Sequence, residues 1–332
     1  MKRLFSKQIF ALILTPFMLA GALSSAKAET ADKFSLVTGL EMKYSDNVIF
    51  VYNGTGSTRS GDFFFHPYLN PKMKFGEGPY FRKLTAYLSG EVYATYSALN
   101  NASYSLLFEQ GVGQGKSLGF RYHISPFLFV GEEVLGNPNP INPSYAYRLE
   151  IYTVSYDQDL RGGAYLYLFA KYAIKDYNPL IGFRTGILRS VGGDYSFKPE
   201  KSRTFLFGVT VETFNAVTGP NSISGPPAIN FIDDTTYNSL WLSVLWIEHL
   251  SVENTLRAKY QIKLRNYLAD ASEPLHGGRT DNTHDISLIF IHKMTDQWSW
   301  KTGLEIIDRI SNKSYAAYNE DILSAGIERR FN

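Results

Sequence analysis

Cysteine is absent from this 332-residue sequence. Disulfide bonds and cysteine-based metal or redox centres are therefore excluded. Beyond residue 28, no apolar run approaches the roughly 18 residues that a transmembrane helix needs. A chain that has neither must be held together by its own packing or by an apolar environment around it.

The N-terminal residues have the pattern of a secretory signal peptide. A basic stretch comes first, an apolar core follows at 9–23, and Ala26-Lys27-Ala28 provides a small-x-small cleavage site. We therefore expect a signal peptide at 1–28 and one domain at 29–332. The alternative, an uncleaved anchor helix, is disfavoured because the apolar run is short for a membrane span.

An excess of charge of one sign is also missing. Removal of residues 1–28 takes away Lys2, Arg3, Lys7 and Lys27, so 29 basic side chains remain against 31 acidic ones, a net charge near −2. A near-neutral balance gives no reason to expect a nucleic-acid partner.

Residues 252–266 alternate between apolar and polar side chains over about twice the usual strand length. Because a strand points successive side chains to opposite faces, one face here is apolar and the other is charged. The apolar set is Val252, Leu256, Ala258, Tyr260, Ile262 and Leu264, and the polar set is Glu253, Thr255, Arg257, Lys259, Gln261, Lys263 and Arg265. Long strands of this kind are typical of barrels that span a bilayer.

The same alternation of apolar and polar residues recurs along the whole chain, and the connections between the alternating segments are long and short in succession. The predicted strands are 33–45, 62–75, 84–96, 103–112, 118–130, 147–156, 164–175, 184–197, 204–214, 236–247, 252–268, 283–294, 298–310 and 319–331. The first connection, 46–61, is predicted to be a polar, Gly-rich loop. Together with 23 Tyr and 23 Phe, this rhythm predicts an all-β fold, a single antiparallel transmembrane β-barrel of about 14 strands. A soluble sandwich or propeller is the alternative, but both prefer shorter strands.

The strand at 252–268 carries the candidate functional residues. A wide barrel leaves room for water, and this strand would present a stripe of cations to the interior, namely Arg257, Lys259, Lys263 and Arg265. Such a stripe favours anions in a narrow aqueous path. The alternative is a neutral interior, in which the stripe is balanced by acids on neighbouring strands: Glu212, Asp285, Glu305, Glu320 and Glu328.

Two Pro-rich loops, 131–146 and 215–235, are stiff by composition. They could fold inward as a constriction, or they could simply cover the outer rim. The sequence leaves both readings open.

The histidines and carboxylates of the sequence show no strong catalytic or metal-binding pattern. His66 and His123 fall on the inward parity without a Ser or Asp at triad spacing. Asp233-Asp234 and His276 lie in outer loops and form a weak candidate for a rim protease. No metal-ligand spacing is found. We therefore expect no enzyme activity, no cofactor and no metal.

The C-terminal strand resembles the insertion signal of Gram-negative outer-membrane proteins. Ser324, Gly326 and Phe331 match that signal, whereas Arg329 and Asn332 depart from it. The resemblance implies recognition by the barrel-assembly machinery through Gly326 and Phe331.

Two further pieces, residues 44–48 and residues 309–318, resemble the two ends of a broad group of outer-membrane barrels. That group includes porins near exopolysaccharide loci and the barrels of surface lipoprotein assembly modifiers. The modifiers carry a helical-repeat domain before the barrel. Only about five residues separate Glu29 from the first predicted strand, so we expect no such domain here.

These features together predict a porin-like channel for passive passage of small solutes, in the outer membrane of a Gram-negative bacterium. Its expected surroundings are outer-membrane lipids and lipopolysaccharide. Two alternatives stay open. One is a barrel that assists export or surface assembly of polysaccharide or protein, and the other is a blocked structural or adhesive surface barrel.

Overall fold

A computed structural model describes residues 33–52, 57–129, 146–178, 184–216, 234–271 and 276–331. The described residues form fourteen antiparallel strands in one closed barrel, which confirms the predicted fold class. The strands are β1 Lys33–Tyr52, β2 Ser57–Phe75, β3 Arg82–Tyr93, β4 Asn101–Gly113, β5 Lys116–Phe129, β6 Ala146–Asp159, β7 Tyr165–Tyr177, β8 Gly186–Glu200, β9 Arg203–Ala216, β10 Tyr237–His249, β11 Asn254–Tyr267, β12 Thr280–Lys293, β13 Trp298–Ser311 and β14 Tyr318–Phe331.

The signal peptide predicted at 1–28 lies outside the described residues. Nearly all of the Pro-rich loops, 131–146 and 215–235, lies outside them too. Among the residues that the structure does describe, no helix is long and apolar enough to cross a membrane.

The two ends of the barrel differ in the length of their connections. At one end, here called the turn end, the connections are 76–81, 114–115, 160–164, 201–202, 250–253 and 294–297. At the other, the loop end, they are 53–56, 94–100, 130–145, 178–185, 217–236, 268–279 and 312–317. The first strand begins and the last strand finishes at the turn end. Outer-membrane barrels place their short turns in the periplasm and their long loops outside the cell.

The predicted loop at 46–61 is wrong for most of its length. β1 continues to Tyr52 and β2 begins at Ser57, and the two strands remain paired beyond Ser45. A register shift between Ser45 and Ile49 explains the error, because a bulge breaks the two-residue period on which the prediction rests. β1 and β2 therefore form the longest hairpin of the described barrel.

The outer face is mainly apolar. On every strand except β3, one parity carries large exposed apolar side chains, and the register keeps this parity aligned from strand to strand. Members of the set are Leu40, Phe65, Leu106, Phe120, Val154, Leu168, Val191, Val209, Leu242, Leu264, Leu288, Leu304 and Ile327. Such a surface is stable in hydrocarbon and costly in water.

The seam between the first and last strands closes the barrel. β1 pairs with β14 from Leu36 opposite Phe331 to Ser45 opposite Ile322. Near the loop end, the Ser45 hydroxyl donates to Glu320 at 2.6 Å, and the Asn47 amide donates to the Asn319 carbonyl at 2.6 Å. The segment 44–48 is thus held to Asn319 and Glu320, the residues that directly follow the second resembling segment, 309–318.

Candidate functional site: the inner wall

The inward parity of β11 carries all four cations of the predicted stripe. Arg257, Lys259, Lys263 and Arg265 share this parity with Gln261, whereas Tyr260 and Leu264 belong to the exposed apolar set. Arg257 lies near the turn end and Arg265 near the loop end. The structure therefore brings the four residues together on one wall, but it gives them different surroundings.

The two cations nearer the turn end are open to the interior. Lys259 lies 3.3 Å (Nζ to Oδ2) from Asp285 on the next strand, and 37% of its side chain is exposed. Arg257 is exposed, and no carboxylate of the described residues lies within ion-pair distance of it. We call Arg257 and Lys259 the open pair.

Lys263 is enclosed instead of open. Its side chain is only 15% exposed, and its Nζ lies 3.6 Å from Glu212 on β9 and 3.8 Å above the centre of the Trp241 ring. Glu212 in turn accepts hydrogen bonds from the Tyr237 hydroxyl at 3.0 Å and from Ser239 at 3.3 Å. A buried carboxylate with two hydroxyl donors and an ion-pair partner is well satisfied, so this group acts as a cross-link between strands.

Arg265 continues the enclosed arrangement towards the loop end. Its guanidinium lies 4.2 Å from the centre of the Tyr237 ring and donates to the Tyr267 hydroxyl at 3.0 Å. Arg279, fully buried beside β12, stacks 4.6 Å from the Tyr267 ring and donates to both oxygens of Asp281, at 3.0 and 2.7 Å. We name this arrangement the enclosed cluster; its members are Glu212, Tyr237, Trp241, Lys263, Arg265, Tyr267, Arg279 and Asp281.

Cation–π contacts hold much of the enclosed cluster together. Each is worth about 0.5–1 kcal/mol at exposed sites and more when water is excluded. The alternation in the sequence identifies Lys263 and Arg265 as inward cations, but it does not identify their aromatic partners or Arg279. Tyr237 and Trp241 share one parity of their strand, which could have marked them as inward residues. Their contact with β11 depends on cross-strand register, which the alternation alone does not fix.

The wall across the seam carries acids that are paired with neighbouring side chains. Tyr68 donates to Glu328 at 2.7 Å and receives a hydrogen bond from Lys301 at 3.1 Å, while Lys301 also pairs with Glu41. Nearby, Glu91 accepts from Asn101 at 2.7 Å and lies 3.8 Å from the His66 ring. The inward parity of β7 and β11 thus carries basic side chains without acidic ones, whereas that of β1, β3 and β14 mixes acids with bases.

The proposed neutralisation of the stripe applies to part of it. Asp285 pairs with Lys259, and Glu212 pairs with Lys263. Glu320 and Glu328 accept hydrogen bonds from other residues, namely Ser45 and Tyr68. Within the described residues, Glu305 makes no ion pair with any of the four cations.

The other sequence candidates lie apart. His66 faces Tyr87 and Glu91, and His123 lies 3.1 Å from Ser125. Of the rim pair, Asp233 is outside the described residues, and Asp234 accepts a hydrogen bond from the Thr236 amide at 2.9 Å. In the described part of the chain, no group of three or more His, Cys, Asp or Glu side chains could hold a metal ion.

Comparison with known proteins gives matches at the level of structure. No family model and no curated protein sequence matches the chain. The outer membrane channel DcaP of Acinetobacter baumannii is similar with a TM-score of 0.50 and 10% identity, over 92% of this chain and 99% of that one. A bacterial polysaccharide outer membrane secretin is similar with a TM-score of 0.50 and 10% identity, over 89% of this chain and 98% of that one. The chain therefore has the fold of bacterial outer-membrane β-barrels, as its sequence predicts, and its apolar outer face fits that location.

Proposed function

We propose that this protein is a passive outer-membrane channel for small solutes, with a mild preference for anions. The observation that carries the proposal is the open pair, Arg257 and Lys259, on the inner wall of a closed barrel whose outside is apolar. A charged, hydrated inner surface is stable only if water reaches it, so the proposal requires a water-filled path past these residues.

The anion preference follows from the unequal pairing of the stripe. Lys259 forms an ion pair with Asp285, whereas Arg257 has no ion-pair partner among the described residues. A charge beside a narrow aqueous path acts through a weakly screened field. The enclosed cations Lys263 and Arg265 contribute less, because Glu212 and the packed aromatic rings separate them from that path.

Planar-bilayer recording of the purified protein tests the proposal. We expect step-like conductance and a zero-current potential on the anion side in a salt gradient. Arg257→Gln should move this potential towards cation preference at 0.1 M salt and much less at 1 M, because the Debye length falls from about 10 Å to about 3 Å. Lys263→Gln is the matched control on the same strand and should have the smaller effect.

Absence of any conductance in the wild-type protein would contradict the channel and favour the blocked surface barrel. The export alternative shares this fold, since one similar structure is described as a polysaccharide secretin. It predicts that a periplasmic partner is needed for transport, whereas a passive channel conducts alone. Uptake of small neutral and anionic solutes into proteoliposomes separates these two outcomes.

Two partner assignments belong to the same proposal. The outer face would contact outer-membrane lipids and lipopolysaccharide. The barrel-assembly machinery would recognise the C-terminal strand through Gly326 and Phe331. Phe331 packs beside Leu36 and Leu69 at the turn end of the seam, which is a position that an assembly factor could reach before the barrel closes.

A further inference from the structure

A shallow groove of ≈ 440 Å³ crosses the outer face of β6, β7, β8 and β9. Two rows of aligned side chains build it. The row nearer the turn end is small and apolar: Val154, Ala170, Val191 and Val211. The row nearer the loop end carries polar atoms: Tyr152, Tyr172, Arg189 and Thr213.

The small row makes a trough that is open to the surroundings. Val154, Val191 and Val211 are 58%, 59% and 50% exposed. Their branched side chains stand lower than the tyrosines of the neighbouring row. An apolar trough that lies beside a row of polar side chains suits a ligand with an apolar chain and a polar head.

Arg189 is the unusual member of the groove. It is exposed on the apolar, outward parity, and no carboxylate of the described residues lies within ion-pair distance of it. Other outward arginines have partners: Arg148 pairs with Glu150, Arg203 pairs with Glu248, and Arg329 stacks on Trp298 and Phe331.

An uncompensated cation on the lipid side of a barrel is unfavourable unless the lipid supplies the anion. Arg189 is the fourth residue of β8 from the loop end, which is close to the polar boundary of the membrane. Tyr172 and Thr213 are its direct cross-strand neighbours and add hydroxyl groups at the same level. A guanidinium flanked by hydroxyls matches a phosphate group, which it can bind through two parallel hydrogen bonds.

We propose that this groove binds a phosphorylated glycolipid of the outer leaflet, with Arg189 on a lipid A phosphate and one acyl chain in the valine-lined trough. The inference rests on the proposed outer-membrane location, in which the loop end faces the lipopolysaccharide leaflet. The Tyr152 hydroxyl already donates a hydrogen bond to Glu150 at 2.9 Å. The hydroxyl groups of Tyr172 and Thr213 are therefore the ones that would donate to the ligand.

Titration of the full-length, detergent-purified protein with bisphosphorylated lipid A, followed by native mass spectrometry, tests the site. We expect Arg189→Gln to weaken binding roughly tenfold or more, as for loss of a charge-assisted contact. Arg148→Gln is the matched control, because this outward arginine already has Glu150, and it should change binding little. Ala170→Leu, which fills the trough without altering charge, should weaken binding of lipid A but not of inorganic phosphate.

Equal affinity of the wild-type and Arg189→Gln proteins would overturn the proposal. So would equally strong binding of dephosphorylated lipid A. Competition by inorganic phosphate at millimolar concentration, with no effect of Ala170→Leu, would show a free-phosphate site instead. Conductance recorded on the same samples keeps the two proposals separate, since Arg189 faces away from the interior: a silent wild-type channel that binds lipid A refutes only the channel.

Discussion

Gln261 and Ile262 are neighbours on β11, and their side chains face opposite environments. Gln261 shares the inward parity of the cation stripe, and Ile262 shares the outward parity of Tyr260 and Leu264. Introducing the same new residue at each of the two positions therefore measures the difference between the two environments.

Ile262→Arg places a charge on the lipid face near mid-height of β11. We expect the free energy of folding into vesicles to become less favourable by ~2–4 kcal/mol. Urea-dependent folding into lipid vesicles, followed by tryptophan fluorescence, measures it. Gln261→Arg is the control and should cost little, because the new side chain faces the interior beside Asp285. Equal costs would contradict the difference between the two faces, and a larger cost for Gln261→Arg would mean that the assigned faces are reversed.

The predicted stripe also divides into residues with different expected roles. Lys263→Met removes the cation from Glu212 and Trp241, and it leaves Glu212 with its two hydroxyl donors. We expect a loss of about 1–3 kcal/mol of stability, because a buried charge loses a partner. Lys259→Met, whose side chain is more exposed, should cost less than half of that. Vesicle unfolding titrations of both variants give the comparison, and similar losses would remove the distinction between the open pair and the enclosed cluster.

At the scale of elements, alternation was sufficient to predict the number and approximate bounds of the strands. It failed at 46–61, because the bulge after Ser45 places successive residues out of period and the polar sequence there looks like a loop. The enclosed cluster was beyond prediction for a different reason. Glu212 and Lys263 are not on adjacent strands, and their contact depends on two registers that turn geometry decides.

Gly326 gives the seam between β1 and β14 a specific requirement. A Cβ there would lie 2.9 Å from the Leu40 carbonyl oxygen and 2.7 Å from the Glu41 side chain. Gly326→Val should therefore push the two strands apart and destabilise the barrel by about 1–3 kcal/mol, as overpacking does. The control is Ala325→Val, which points to the exposed outer face.

Gel mobility of unboiled samples over a urea series measures this effect. The folded band of Gly326→Val should disappear at a lower urea concentration than that of the wild type or of Ala325→Val. Coincident midpoints for all three proteins would show that the close approach at the seam is not rigid.

At the scale of the whole molecule, a closed ladder of fourteen strands should resist detergent until it is heated. We expect the unboiled protein to migrate differently from the boiled protein in a denaturing gel. Its circular dichroism spectrum should show β-structure, and heating should abolish this signal at the temperature at which the band of the unboiled protein disappears from the gel. A helix-dominated spectrum, or good solubility without detergent after removal of residues 1–28, would contradict the fold.

The pairing of the first strand with the last has a consequence for biogenesis. Leu36 and Phe331 are opposite each other in the barrel although they lie at the two extremes of the folded chain. Until β14 is complete, β1 has one unpaired edge, and an open sheet edge is a template for aggregation. Contacts of such high sequence separation form slowly, because loop entropy must be lost before they stabilise anything. The sheet therefore stays open at one edge until the last strand has paired, and the stability of the finished barrel gives the chain no protection during that interval.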